Sequence, residues 1–285
     1  MSNRKIYIYC DGGFGNRFNI LVGGLFLSKR FNLNPIIFWK ENNWCGAKFS
    51  DIFYPTIRSM DFNGETFFKL NNLKVICHDN QFNQQINSIQ PNVFNSTQEI
   101  SEYIGNDDDV FYFNNLIPSW VDENFLQELN RLLKFKTEIT NIVYSILQKH
   151  PSNTYSGLHF RKTDFVGIEL VDEDYYHNYI ESNPNEKFFV CSDDQKTEIE
   201  FSRHPNVFTF EKSNYVQKYS DGEWNTWIVD SNGNQFPFNV DRNSQSVIEA
   251  IVDLLLLSNS NIINTNLNST FLKTAILLKK YNLFR

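Results

Sequence analysis

Thr154-Tyr155-Ser156-Gly157-Leu158-His159-Phe160-Arg161-Lys162-Thr163-Asp164 divides into an apolar run and a charged turn. Thr154 to Phe160 predicts a short buried strand. Arg161 onward predicts a loop through Val166, Gly167 and Glu169 to a helix start at Asp172. A histidine, two cations and a carboxylate therefore gather at the C-terminal end of a strand, where open α/β sheets hold their ligands. Adjacent Arg and Lys suit a pyrophosphate, because Arg offers a planar fork and Lys a compact point charge. A surface loop with solvated ions would carry the same letters, so the rest of the chain decides.

Outward toward the C-terminus the pattern alternates. A helix bearing Tyr175, Tyr176 and Tyr179 leads to a strand at Lys187–Cys191, a helix after Asp193-Asp194, and a strand at Val207–Phe210. Residues 213–243 interrupt it, with Trp224–Val229 and Gln235–Asn239 flanking Asn232-Gly233 in a hairpin signal. A long helix over Ser244–Leu257, a strand at Asn261–Asn264 and a helix from Ser269 complete the set. Toward the N-terminus, His150-Pro151-Ser152-Asn153 reads as a domain boundary. Before it come two helices, one running to Lys149 and one capped by Asp122 with Phe125, Leu129 and Leu132 inward, and a strand at Val110–Phe113. The signal over Trp44–Asn106 is weak. Ile6–Cys10, the turn Asp11-Gly12-Gly13-Phe14-Gly15-Asn16-Arg17, a helix with Phe18, Leu21, Val22, Leu25 and Phe26, and a strand at Pro35–Trp39 open a doubly wound sheet. Two α/β halves are predicted, 1–150 and 151–285, with 213–243 as an insertion.

Composition narrows the function. Hydrophobic residues make up 41% and aromatics 16% of 285 residues, with 27 Phe and 13 Tyr, so the chain folds around ring-filled cores. A net charge of −7 argues against a nucleic-acid partner, which would require a basic footprint. Cys10, Cys45, Cys77 and Cys191 lie far apart, without metal or redox spacing, and read as buried thiols in a reducing compartment. Met1–Lys5 lacks the order of a secretory leader, and the apolar run at Leu254–Leu257 is broken by Glu249, Asp253 and Asn259. The expectation is therefore a cytoplasmic protein with no transmembrane segment. A Rossmann dehydrogenase fits poorly, because the glycine turn lacks the full spacing and Trp39-Lys40 stands where an acidic residue should end the second strand.

Three blocks together resemble the GDP-fucose-dependent fucosyltransferase superfamily, most of all the α-1,6-fucosyltransferases of N-glycan cores and nodulation factors, with α-1,2- and protein O-fucosyltransferases as relatives. They are Gly12–Phe18; His159–Asp164 with Val166-Gly167 and Glu169; and Ser192-Asp193-Asp194 followed by Val252-Asp253 and Ser269. Residues 55–150 and 213–243 show no such likeness. The resemblance implies a GT-B fold, with two Rossmann-like domains facing across a cleft, the first on the acceptor side and the second binding the GDP-sugar. It also implies metal-independent inverting transfer, with no cofactor beyond the donor.

The same resemblance, with the chemistry of the residues, gives the roles. A preorganised Arg161 guanidinium would stabilise charge growing on the leaving diphosphate. Lys162 stands where the family has a second Arg, and could meet a phosphate only as a point charge. Asp164 would orient these cations. Glu169 stands where the family has its candidate base, to take the acceptor hydroxyl's proton. His159 would lie near the nucleotide base or be a core histidine. Asp253, among apolar neighbours, could accept the N1–H and exocyclic amine of guanine, or be a helix-face Asp open to water. Ser269 and Thr270 start a helix that favours phosphate, though N-capping explains Ser269 as well. Gly13, Gly15 and Asn16 could bring backbone N–H groups to the diphosphate, or simply form a tight turn. Asp193 and Asp194 invite a divalent metal, but Asp193 also suits a helix N-cap. Another GDP-sugar donor, or a non-catalytic nucleotide- or glycan-binding protein, remain alternatives. Acceptor, linkage and oligomeric state are not encoded in these motifs.

Overall fold

A computed structural model of the chain describes residues 4–60, 73–77, 94–163, 172–229, 233, 235–263 and 269–283. It divides into two compact units, Met1–Lys40 with Lys48–Lys134, and Glu41–Ala47 with Phe135–Arg285. The change of unit thus falls at Phe135, ahead of the expected His150–Pro151, and a short early segment belongs with the later residues. The helix expected to end the first half is the reason. It covers Thr137–Leu147 and packs on the long helix Ser244–Ser258.

In the first unit, β1 (Lys5–Cys10), β2 (Asn34–Trp39), β3 (Arg58–Met60), β4 (Leu73–Cys77) and β5 (Asp109–Phe113) form a five-stranded sheet in the order β3-β2-β1-β5-β4. All pairings are parallel. Central strands of such sheets are covered on both faces and become apolar runs rather than alternations, as Ile6–Cys10 and Val110–Phe113 do, all buried. Helix α1 (Phe14–Phe31) lies on the sheet with Phe18, Leu21, Val22, Leu25 and Phe26 buried, the set its sequence spacing predicts. Also in this unit are α2 (Phe49–Ile52), α3 (Thr97–Tyr103) and α4 (Glu123–Leu132). Asp122 caps α4 by accepting from the Phe125 amide, and Phe125 and Leu129 are buried while Leu132 is half-buried.

In the second unit, β6 (Ser156–Phe160), β7 (Phe188–Ser192), β8 (Val207–Phe208) and β11 (Asn261–Ile262) form a parallel sheet in the order β11-β6-β7-β8. Helices α5 (Thr137–Leu147), α6 (Glu173–Ser182), α7 (Gln195–Phe201), α8 (Ser244–Ser258) and α9 (Thr270–Lys280) accompany it. Leu158, Phe160, Ile180, Phe188, Val190 and Phe201 make one core cluster, in which Phe160 and Phe201 stack at 4.5 Å. Gly157 is required here: a Cβ would lie 2.1 Å from the Ser260 hydroxyl and 2.7 Å from Leu257. The expected hairpin is present as the antiparallel pair β9 (Ile228–Val229) and β10 (Gln235–Phe236). Its Trp224 is half-buried and Trp227 is 68% exposed. Segment 41–47 joins this unit through Gly46, whose amide donates to Arg242 O at 2.7 Å, and through Trp44, whose ring meets Phe236 and Phe238.

All four cysteines are buried. No helix among the described residues is long and apolar enough to cross a membrane.

Candidate functional site

The strand order of the second sheet locates its ligand end. From β6 the chain proceeds outward to β7 and β8, then returns to place β11 on the other side of β6. That reversal is a topological switch point, and ligands of open α/β sheets bind beyond the strand ends there. Every residue of β6 is buried up to Phe160; Arg161 follows, half-buried, and then Lys162, exposed, and Thr163, buried.

The turn after β6 is held by the turn after β7. Asp193 accepts from the Lys162 amide at 2.7 Å, from the Thr163 hydroxyl at 2.6 Å and from the Thr163 amide at 3.4 Å. The Ser192 hydroxyl donates to Phe160 O at 2.7 Å. Asp193 is therefore a staple for the Arg161 turn and not the N-cap expected of it. The cap of α7 is Asp194, which accepts from the amide and the hydroxyl of Thr197, both at 2.9 Å. Among the described residues no group of three or more His, Cys, Asp or Glu is placed to hold a metal. Lys162 forms an ion pair with Glu173 at the start of α6. Asp164 and Glu169 lie outside the described residues.

His159 is 6% exposed, and its ring stacks on Phe271 of α9 at 4.7 Å. Burial, with the charges of Arg161 and Lys212 behind it, pulls its imidazole down to about 3, so the ring is neutral throughout the physiological range. Those two cations thus lie near one buried ring. Ser269 caps α9 by accepting from the Leu272 amide at 3.3 Å, and Thr270 begins the helix half-buried. The resulting N-terminus, on the chain leaving β11, is favourable to an anion.

Asp253 of α8 is 3% exposed, which excludes the open helix face. Its Oδ2 accepts from the Lys212 ammonium at 2.7 Å, while Oδ1 is buried without a hydrogen-bond partner among the described residues. Lys212 also donates to Glu198 Oε1 at 2.5 Å and to Ser192 O at 2.7 Å. The Tyr215 hydroxyl donates to Glu198 Oε2 at 2.7 Å. One buried cation thus faces two buried carboxylates. If all three ionise, a net negative charge stays in the interior, and burial resists it. Burial accordingly raises the Asp253 carboxyl to about 7, against the pull of Lys212, and the Glu198 carboxyl also rises. Burial would lower Lys212, but Asp253 and Glu198 hold it above its ordinary value. Glu249, one turn before Asp253, accepts from the Ser213 amide and hydroxyl, the Asn214 amide and Gln245. Burial pushes its carboxyl up; these bonds outweigh that and bring it below its usual value.

Lys212 and Glu198 escaped the sequence reading. The signal available was indirect: a carboxylate on an apolar face of α8 demands a counter-charge, but nothing local says that Lys212 supplies it from 41 residues away in the chain.

In the first unit, the Gly-rich turn connects β1 to α1. Gly12 requires glycine, with φ at +81°, whereas Gly13 is an extended N-cap with open space where a Cβ would stand. Gly15 is buried and Asn16 half-buried, its amide 3.0 Å from the Cβ position of Gly12. Arg17, wholly buried, donates from Nε to Gly12 O at 2.7 Å and lies over the Trp39 ring at 4.9 Å. The turn is thus fixed from within.

No family model and no curated protein matches the sequence. Solved structures do. NodZ α-1,6-fucosyltransferase co-crystallised with GDP aligns with a TM-score of 0.59 at 14% identity, covering 98% of this chain and 93% of that one. Fucosyltransferase NodZ from Bradyrhizobium gives the same score and identity over 98% and 94%. NodZ soaked with GDP-fucose gives 0.56 at 14% over 97% and 93%. Over nearly its whole length, the chain has the GT-B-type α/β fold of a fucosyltransferase.

Proposed function

We propose that the chain is an inverting, metal-independent glycosyltransferase that moves L-fucose from GDP-fucose to a glycan hydroxyl. The observation that carries this reading is the position of Arg161: directly after a fully buried strand, at the switch point of the second sheet, and half-buried. As the bond from sugar to diphosphate stretches, negative charge grows on the leaving GDP, and a prepositioned guanidinium lowers that barrier. The N-terminus of α9, at Ser269 and Thr270, would add a fixed dipole to the same diphosphate. Asp253 would accept from guanine N1–H, which fits a buried carboxylate with one oxygen unpartnered. His159, neutral and stacked on Phe271, would give the base an uncharged wall. Lys162 would have to share its charge with Glu173 to reach a phosphate. Asp164 would orient the cations, and Glu169 would take the acceptor proton, as the sequence resemblance implies. In the first unit, Gly13, Gly15 and Asn16 would present backbone N–H groups to a phosphate, and that unit would serve the acceptor. The second unit would hold the donor.

The test is GDP release from GDP-fucose, with and without glycan acceptors, alongside thermal shifts with GDP, UDP, ADP and other GDP-sugars. Selective stabilisation by GDP and acceptor-dependent release support the reading. Release with another GDP-sugar and not with GDP-fucose would change the donor. GDP binding without release from any GDP-sugar would make the chain a nucleotide-sugar-binding protein.

A further inference from the structure

Residues 212–215 follow β8 and form a strap stitched to the ligand end of the second sheet. Lys212 reaches Ser192 O, Glu198 and Asp253; Ser213 and Asn214 bind Glu249; Tyr215 binds Glu198. The Lys212 side chain is only 4% exposed, so the ammonium is too enclosed to serve as a surface charge. We propose that Lys212 is a positioning residue for base recognition: its ammonium favours the Asp253 anion and fixes it by one oxygen, so that the other can accept from a purine N1–H. The assignment rests on Asp253 as the base-reading carboxylate of the proposed donor site, and deepens it by naming the group that makes a buried carboxylate usable.

Isolated at 3% exposure, Asp253 would keep its proton and present a donor where guanine N1 also presents one. The charges acting on it come from three sides. Lys212 favours the anion from the strap; Glu198 of α7 and Glu249 of α8 itself oppose it. The Cys191 thiol of β7, neutral because burial holds it well above its ordinary value, and the Tyr215 hydroxyl, also raised by burial, add no charge near neutrality. Lys212 is thus the cation among these groups, and it contacts both Asp253 and the opposing Glu198.

The measurement is the ratio of GDP to ADP affinity by calorimetry from pH 5.5 to 8.5, below the range in which guanine N1 itself loses its proton. Adenine has no N1–H, and the ratio cancels diphosphate protonation. In the wild type the ratio should climb up to tenfold per unit and level off near pH 7, as Asp253 ionises. Lys212→Met should move the levelling point up by at least one unit, lowering the ratio at pH 7 about fivefold or more. Glu198→Gln removes an opposing charge and should move it down. Asp253→Asn should abolish the climb. An unmoved levelling point in folded Lys212→Met overturns the assignment. If that variant does not fold, Glu198→Gln decides alone, and an unmoved point there overturns it. A wild type without preference for GDP over ADP overturns the donor site itself, a different failure, visible before any variant is made.

Discussion

Arg161 and His159 are near neighbours in sequence with opposite lives, one at the rim of the sheet and one inside it. Arg161→Ala should lower kcat for transfer by about 10²–10³, the cost of losing one preorganised charge-stabilising donor, with stability within ~1 kcal/mol because the side chain is half-buried. Activity kept within a few-fold would remove it from the chemistry. His159 predicts an acid-side effect. The unfolded imidazole binds a proton below about 6.5, whereas the folded one waits until about 3. Between these values the unfolded state holds more protons, so stability falls as pH falls, by up to ~1.4 kcal/mol per unit. Denaturant melts of wild type and His159→Phe, compared from pH 7 to 4, should diverge by that slope, the wild type losing stability faster on acidification. Parallel curves would contradict a neutral buried ring. Of these residues, the place of Arg161 at the end of a buried strand was legible in sequence, because a charge after an apolar strand has few places to go. His159 was not, because ligand contact and core packing ask for the same letter, and only the Phe271 stack from α9 shows its surroundings.

Elements were legible wherever a period was sustained. The helix of the Gly-rich block, the capped helix at Asp122 and the strands β1, β2, β5, β6 and β7 lie within a residue or two of expectation, because apolar faces and caps are local properties. The turns were harder to read. In the Gly-rich block the phosphate-binding pattern points to Gly13 and Gly15, yet the backbone demands glycine at Gly12. Gly12→Ala should cost ~1–2 kcal/mol in chemical denaturation, the penalty of a Cβ at positive φ. Gly13→Ala, with negative φ and open space, should change stability by no more than about 1 kcal/mol. A large loss of GDP affinity in that stable variant would then report close approach of a ligand. Likewise, Asp193 and Asp194 could not be told apart by spacing; the hydroxyl of Thr163, across a parallel pair of strands, is what recruits Asp193 away from the cap. The strap 212–215 has no period at all, and its partners are 14 to 41 residues distant, which is why it went unread.

At the scale of the whole chain, the fold class was readable from the alternation of strands and helices, but the division into units was not. Residues 41–47 precede most of the first unit in sequence and pack with the second. Trp44→Ala should therefore destabilise the later residues, by ~1–3 kcal/mol for a half-buried ring. Amide exchange should rise at the β9–β10 hairpin, whose Phe236 meets Trp44. Exchange confined to residues 1–40 and 48–134 would contradict that membership. The most direct measurement for the donor site is a crystal structure of this protein with GDP. The diphosphate should lie within hydrogen-bonding distance of Arg161 after β6 and beside the start of α9, with guanine at Asp253. Density for GDP at the opposite edge of the second sheet, away from Arg161, would contradict the assignment of this end of the fold to the donor.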